Sequence, residues 1–107
     1  MALTVKELME RMPGAFLPEK AEGVDAVIQF ELGEDGGNWV CTIKDQTCTV
    51  EEGTVDDPSL TLIAKASDYI DMVTGKLNPM TGIMTQKIVL KGDLNLATKY
   101  MELFKMN

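Results

Sequence analysis

The sequence predicts an α+β fold, a mainly antiparallel sheet with helices gathered on one face. Three observations predict it. A capping box opens a helix near the amino terminus. Four stretches between residues 24 and 65 alternate apolar and polar side chains with period two. The last third reads as two short helices, a strand and a final helix. With 107 residues, the chain has the length of one domain, residues 1–107, able to bury its own core without disulfides or metals.

Thr4 and Glu7 form the capping box: the Thr hydroxyl takes the Glu7 amide while the Glu carboxylate reaches back. Leu3 and Leu8 bracket it as a hydrophobic staple. The helix is expected to end before Pro13-Gly14, and Phe16-Leu17-Pro18 to tuck Phe16 inward. In residues 24–32, Val24, Ala26, Ile28, Phe30 and Leu32 face one way; Asp25, Val27, Gln29 and Glu31 face water. Residues 33–37 (GEDGG) read as a hairpin loop.

The second strand puts Trp39, Cys41 and Ile43 inside. A turn near Lys44-Asp45 leads to a third with Cys48 and Val50 inside. Asp56-Asp57-Pro58 stops the chain before a fourth strand, with Leu60, Leu62 and Ala64 inward. Burial on one face only suits antiparallel pairing.

Ser67 is expected to cap a helix that stops at Gly75, which suits a left-handed C′ position. Asn78-Pro79 starts the next, with Asn as cap and Pro in the first turn. Residues 86–91 form the fifth strand, Ile88 and Leu90 inward. Asp93 caps the last helix, whose face carries Leu94, Ala97, Met101 and Phe104, flanked by Leu96, Tyr100 and Leu103.

Net charge is −7 and uneven. Residues 19–57 hold eleven acids and two lysines; residues 85–107 hold four lysines and two acids. Such an acidic chain is repelled by phosphate, so nucleic acid is not an expected partner. The acidic strand region disfavours broad docking on anionic membranes. No apolar run reaches about 18 residues, so no stable membrane insertion is expected. The first residues lack a signal peptide's pattern, and the last four (FKMN) are not a peroxisomal address. A cytoplasmic location is the expectation.

The chain has no histidine, which removes Ser-His-Asp and Cys-His catalysis and most zinc chemistry. Glu34, Asp35, Asp56 and Asp57 sit in polar turns, where Asp is favoured for backbone reasons. Cys41 and Cys48 are expected to lie opposite each other as buried thiols. Gly75-Lys76 lacks the rest of a phosphate loop. No catalytic residue, metal ligand or cofactor is expected, and the chain is not expected to be an enzyme. The methionines stand apart: eight occur and none lies between residues 13 and 71. Met72, Met80, Met84, Met101 and Met106 gather in the helical end, where flexible side chains fill irregular space and suit adaptable binding surfaces.

An ordered series of segments resembles the sterol carrier protein type 2 (sterol-transfer) family. Residues 57–62 (DPSLTL) are similar to its fourth strand and Ser67-Asp68-Tyr69 to the cap that follows. Thr74-Gly75-Lys76-Leu77-Asn78-Pro79 resembles its Thr-Gly-Lys-x-Asn-Pro segment. Lys87 to Asp93 (KIVLKGD) resembles its strand and turn, Ala97 with Lys99 fits its last helix, and Phe30, Trp39 and the hairpin between them fit as well. The resemblance implies a five-stranded sheet in the order 3-2-1-4-5 and a hydrophobic tunnel between sheet and helices for fatty acids, acyl-CoA thioesters or sterols. Carried over by position, its lining is Met72, Val73, Leu77, Met80, Ile83, Met84, Ile88, Leu90, Leu96, Met101 and Phe104. Ile83 and Met84 stand where eukaryotic members often have two phenylalanines, so a flexible wall replaces an aromatic one. Gln86 stands where Gly is usual.

The expected function is that of a non-catalytic carrier for long fatty-acyl ligands or sterol. Lys76, Lys87 and Lys91 are the candidate partners for an anionic head group. The alternative is an interaction module that forms a homodimer through the apolar helical end.

Overall fold

A computed structural model describes residues 4–103, without the side chain of Met101. The elements are α1 (Val5–Ala15), a 3-10 turn (Pro18–Lys20), β1 (Ala26–Glu31), α2 (Gly33–Gly36), β2 (Asn38–Lys44), β3 (Thr47–Glu52), β4 (Leu60–Ala64), α3 (Ala66–Val73), α4 (Pro79–Met84), β5 (Ile88–Gly92) and α5 (Leu94–Leu103). The strands form one sheet in the order β3-β2-β1-β4-β5. β1 and β4 run parallel, and every other neighbour is antiparallel. This is the expected α+β architecture and strand order.

Local sequence accounts for most boundaries. Thr4 accepts the Glu7 amide at 3.2 Å and caps α1; Leu3 of the expected staple lies outside the described residues. α1 does not end before Pro13. It runs through Pro13 to Ala15, because the final turn closes with the Phe16 amide on the Pro13 carbonyl, at 3.4 Å. The 33–37 segment is not an open loop but a single helical turn, α2, whose Gly36 carbonyl takes the Trp39 indole N–H at 2.7 Å. The β2–β3 turn centres on Asp45 and Gln46, both at positive φ, a type I′ hairpin. That shifts the expected register: Cys41 faces Val50, and Ile43 faces Cys48. The two thiols are therefore diagonal neighbours, with sulfurs 3.5 Å apart.

Ser67 does not cap α3; the helix starts from Lys65 without a side-chain cap. Its stop at positive-φ Gly75 is as expected. Asn78 caps α4 by accepting from Met80 at 2.8 Å and Thr81 at 3.4 Å. Gln86 sits at φ 63, in the left-handed region where glycine is at ease.

The helices cover one face. Ala26, Ile28, Phe30, Leu60, Leu62, Ala64 and Ile88 point beneath them and are buried, the alternation predicted from period two. α1 packs over β3, α4 over β5, and α5 over β4 and β5. Phe30 anchors the centre, with ring centroids 5.7 Å from Tyr69 and 5.9 Å from Tyr100.

The outer face holds a correction. Gln29 is only 3 % exposed. Residues 53–59 carry the chain from β3 to β4 across this face, and the Gln29 amide pins them. It donates to the carbonyls of Gly53 (3.0 Å), Trp39 (3.1 Å) and Phe30 (3.3 Å) and accepts the Val55 amide at 2.9 Å. A buried amide is stable only when its donors and acceptor are met in this way.

Candidate functional site

Short helices leave space where they meet the sheet. α4 has six residues and α3 has eight, too short to interlock along the strands beneath them. Between them, the inner sheet face and α5 lies an apolar cavity of about 560 Å³. Its floor is Ile28 of β1, Leu60 and Leu62 of β4, and Ile88 and Leu90 of β5. Met72 of α3 closes one side. Pro79, Met80 and Ile83 of α4 form a second wall, and Leu94, Ala97, Thr98, Tyr100 and Glu102 of α5 the third. This size falls within the range of small-molecule pockets, which are mostly apolar with few polar groups.

Sequence reasoning placed eleven residues around such a space. The structure brings Met72, Met80, Ile83, Ile88 and Leu90 together on its wall. Val73 and Leu77 pack against the core instead, and Leu96 is buried in it. Met84 points away and is 80 % exposed. The Met101 side chain and Phe104 lie outside the described residues, as does Met106. The floor residues Ile28, Leu60 and Leu62 were not expected on this wall. Their signal was present in the inward alternation of β1 and β4, once those strands are known to be neighbours.

The wall's electrostatics are spare. Its polar side chains are Thr98, Tyr100 and Glu102. None of Lys76, Lys87 or Lys91 lines it. Lys99 of α5 lies 3.7 Å from Glu102 in an exposed pair, an interaction worth little in water. Burial pushes the Tyr100 and Tyr69 phenols above the usual tyrosine range, so both are neutral at physiological pH. No group of three or more Cys, Asp or Glu side chains able to hold a metal occurs among the described residues.

Two other features bear no such design. A wider hollow of about 900 Å³ opens over the strand ends, lined by Glu31, Glu34, Lys65, Asp68 and Lys87 among others. Its mixed charges make it a solvated groove. The Cys41 thiol is held protonated by its bond to Cys48 and by burial, while that bond lowers Cys48. Both cysteines are free thiols. No described helix is long and apolar enough to cross a membrane.

Comparison with known proteins adds identity to this geometry. Residues 5–105 match the model of the SCP-2 sterol transfer family. The mouse hydroxysteroid dehydrogenase-like protein 2 is 34 % identical over 101 residues, which cover 92 % of this chain and 21 % of that protein. This chain thus spans about a fifth of the length of that relative. The solution structure of palmitated SCP2L2 from Aedes aegypti has a TM-score of 0.73 at 26 % identity, covering 94 % of this chain and 93 % of that one. The stereoselective inverting sec-alkylsulfatase Pisa1 from Pseudomonas sp. has a TM-score of 0.86 at 18 % identity, covering 99 % of this chain and 17 % of that enzyme; that likeness is one of fold.

Proposed function

We propose that this chain, which belongs to the SCP-2 sterol transfer family, is a non-catalytic carrier that takes the hydrocarbon part of a lipid into the apolar cavity. The single observation that carries the reading is that cavity: about 560 Å³ walled almost wholly by Met, Leu, Ile, Ala and Pro. Water inside it finds few hydrogen-bond partners, whereas each methylene moved from water to such a wall gains about 0.8 kcal/mol. Ten buried methylenes supply about 8 kcal/mol, near a micromolar Kd before the costs of association. A long fatty-acyl chain, free or as an acyl thioester, fits this description, as does a sterol. The palmitated relative from Aedes aegypti supports the acyl reading.

Met72, Met80, Ile83, Ile88 and Leu90 form the proposed contact surface. Methionine on two sides lets the wall adapt to guests of different shape. The composition of the same wall supports the non-catalytic part of this proposal. Its polar side chains are Thr98, Tyr100 and Glu102, and the chain has no histidine for a Ser-His or Cys-His pair.

The test is a titration with a fluorescent fatty acid, read by energy transfer from Trp39, the sole tryptophan. Saturable binding with one site per chain is expected. Absence of binding at high micromolar concentration contradicts the reading.

A further inference from the structure

The cavity has a wet end and a dry end. Met80 and Leu94 on its wall are 65 % and 62 % exposed and mark the mouth, whereas Ile28, Leu60, Met72 and Tyr100 on the same wall are buried and mark the deep end. Glu102, the one acid on the wall, lies in an exposed pair with Lys99, so charge stays near water. Among the described residues, Tyr100 is the only buried wall residue with a polar side chain.

A second phenol stands behind it. The Tyr69 and Tyr100 rings both pack on Phe30, and each phenol is close enough to influence the other's proton. Tyr69 is fully buried, yet its hydroxyl has no well-directed hydrogen-bond partner among the described residues. The nearby Cys41 thiol is taken up by Cys48, with the sulfurs 3.5 Å apart. A buried hydroxyl left unbonded is costly, and such orphans are rare in native cores. This one sits beside the deep end of a cavity that opens to the surface. The group that completes it is uncharged. A carboxylate carried to the deep end would leave water for an apolar surround with no cation on the described wall, at a cost far above that of a hydroxyl or carbonyl. Neutral phenols both donate to and accept from such an oxygen.

We infer that Tyr100 and Tyr69 form a polar subsite at the deep end of the cavity, which takes one uncharged oxygen, a hydroxyl or a carbonyl, on the end of the guest that enters first. This rests on the carrier reading and narrows it to oxygenated hydrocarbons. A fatty acid hydroxylated at its far end and a long-chain alcohol entering hydroxyl first share that chemistry. The test measures displacement of a fluorescent fatty acid by laurate, ω-hydroxylaurate and dodecanol from wild type, Tyr69→Phe and Tyr100→Phe. In a wholly apolar deep end the added hydroxyl would be buried unbonded and weaken binding about 10- to 100-fold. With the subsite, wild type binds ω-hydroxylaurate at least as tightly as laurate. Each phenylalanine variant raises the ratio of the ω-hydroxylaurate Kd to the laurate Kd by about tenfold or more, and a ratio taken within one variant cancels any general change in the cavity. Dodecanol weakened relative to laurate by the same variants enters hydroxyl first; dodecanol left unweakened assigns the subsite to chains with a second oxygen at the far end. The subsite is overturned by wild type that binds ω-hydroxylaurate more weakly than laurate, a result that decides even where a variant does not fold. Folded phenylalanine variants with the wild-type ratio overturn it too, as does a crystal structure with ω-hydroxylaurate in which water alone bonds the two phenols. Displacement by laurate without ω-hydroxylaurate rejects the subsite alone; failure of all three guests to displace the probe rejects the carrier reading itself.

Discussion

Replacing Ala97 with leucine separates an open cavity from a filled core, because the two predict opposite signs of stability change. Ala97 sits on α5 and its side chain faces the cavity between Leu94 and Thr98 on the wall. Leucine suits a helix nearly as well as alanine, so propensity contributes little. The substitution adds three carbons. If the space is open, they enter it and take the room of about three ligand methylenes. At about 0.8 kcal/mol each, the loss is about 2.4 kcal/mol, a Kd raised about 60-fold. The same carbons bury apolar surface in the free protein, so its stability is unchanged or rises by about 1–2 kcal/mol. If the region is instead closed up in solution, the larger side chain overpacks it and costs about 1–3 kcal/mol. Urea unfolding followed by Trp39 fluorescence gives the stability, and the fatty-acid titration gives the affinity. Ala97→Leu that destabilises the protein while leaving Kd unchanged refutes the reasoning.

Three further outcomes follow from residues away from that wall or beside it. Gln29→Leu strands the Val55 amide and the Gly53 carbonyl that the side chain now satisfies; with one lost pair partly recovered by water, unfolding free energy falls by about 2–4 kcal/mol, and a fall under about 0.5 kcal/mol would show that the 53–59 crossing is held by something else. Alkaline pH destabilises the fold through Tyr69 and Tyr100. Burial raises both phenols in the folded state, so the native protein holds their protons longer than the unfolded chain, and their contribution is full below about pH 10 and lost as pH rises above it, at about 1.4 kcal/mol per pH unit for each. Tyr100→Phe should make the alkaline slope shallower in urea titrations between about pH 9 and 12, and an unchanged slope would contradict this. Gly92→Ala should lower stability by about 2 kcal/mol or more, since Gly92 lies at φ +107 with a Cβ position 2.6 Å from the Ser59 carbonyl oxygen; a wild-type melting curve would contradict it.

Most of the fold was legible because local and non-local signals agree. The Thr4 and Asn78 caps, the inward alternation of β1, β2 and β4, and the Gly75 stop each state a local physical preference that tertiary packing leaves intact. What escaped the sequence depends on neighbours far along the chain. Gln29 reads as a wet-face residue because nothing in residues 24–32 announces that residues 53–59 will cross above it. The Cys41–Cys48 register was misplaced by one position, since Asp45-Gln46 forms a type I′ turn without the glycine that usually marks it. Pro13 reads as a helix stop, yet α1 continues past it to Ala15 and closes with the Phe16 amide on the Pro13 carbonyl. The site was half legible. Methionine clustering pointed to the helical wall, but the sheet floor comes from strands distant in sequence, and Met84, one turn beyond Met80 at the very end of α4, falls past the rim of the cavity.

The most direct test of a hydrocarbon site at this position uses protein labelled with ¹³C at the methionine methyls. Met72 and Met80 line the cavity, whereas Met9 and Met12 are buried beneath α1, away from its wall. Adding a fatty acid in vesicle-free solution should move the Met72 and Met80 methyl resonances in a saturable manner and leave those of Met9 and Met12 in place. Saturation that shifts Met9 and Met12 instead, or that moves no methyl on the cavity wall, would contradict the account.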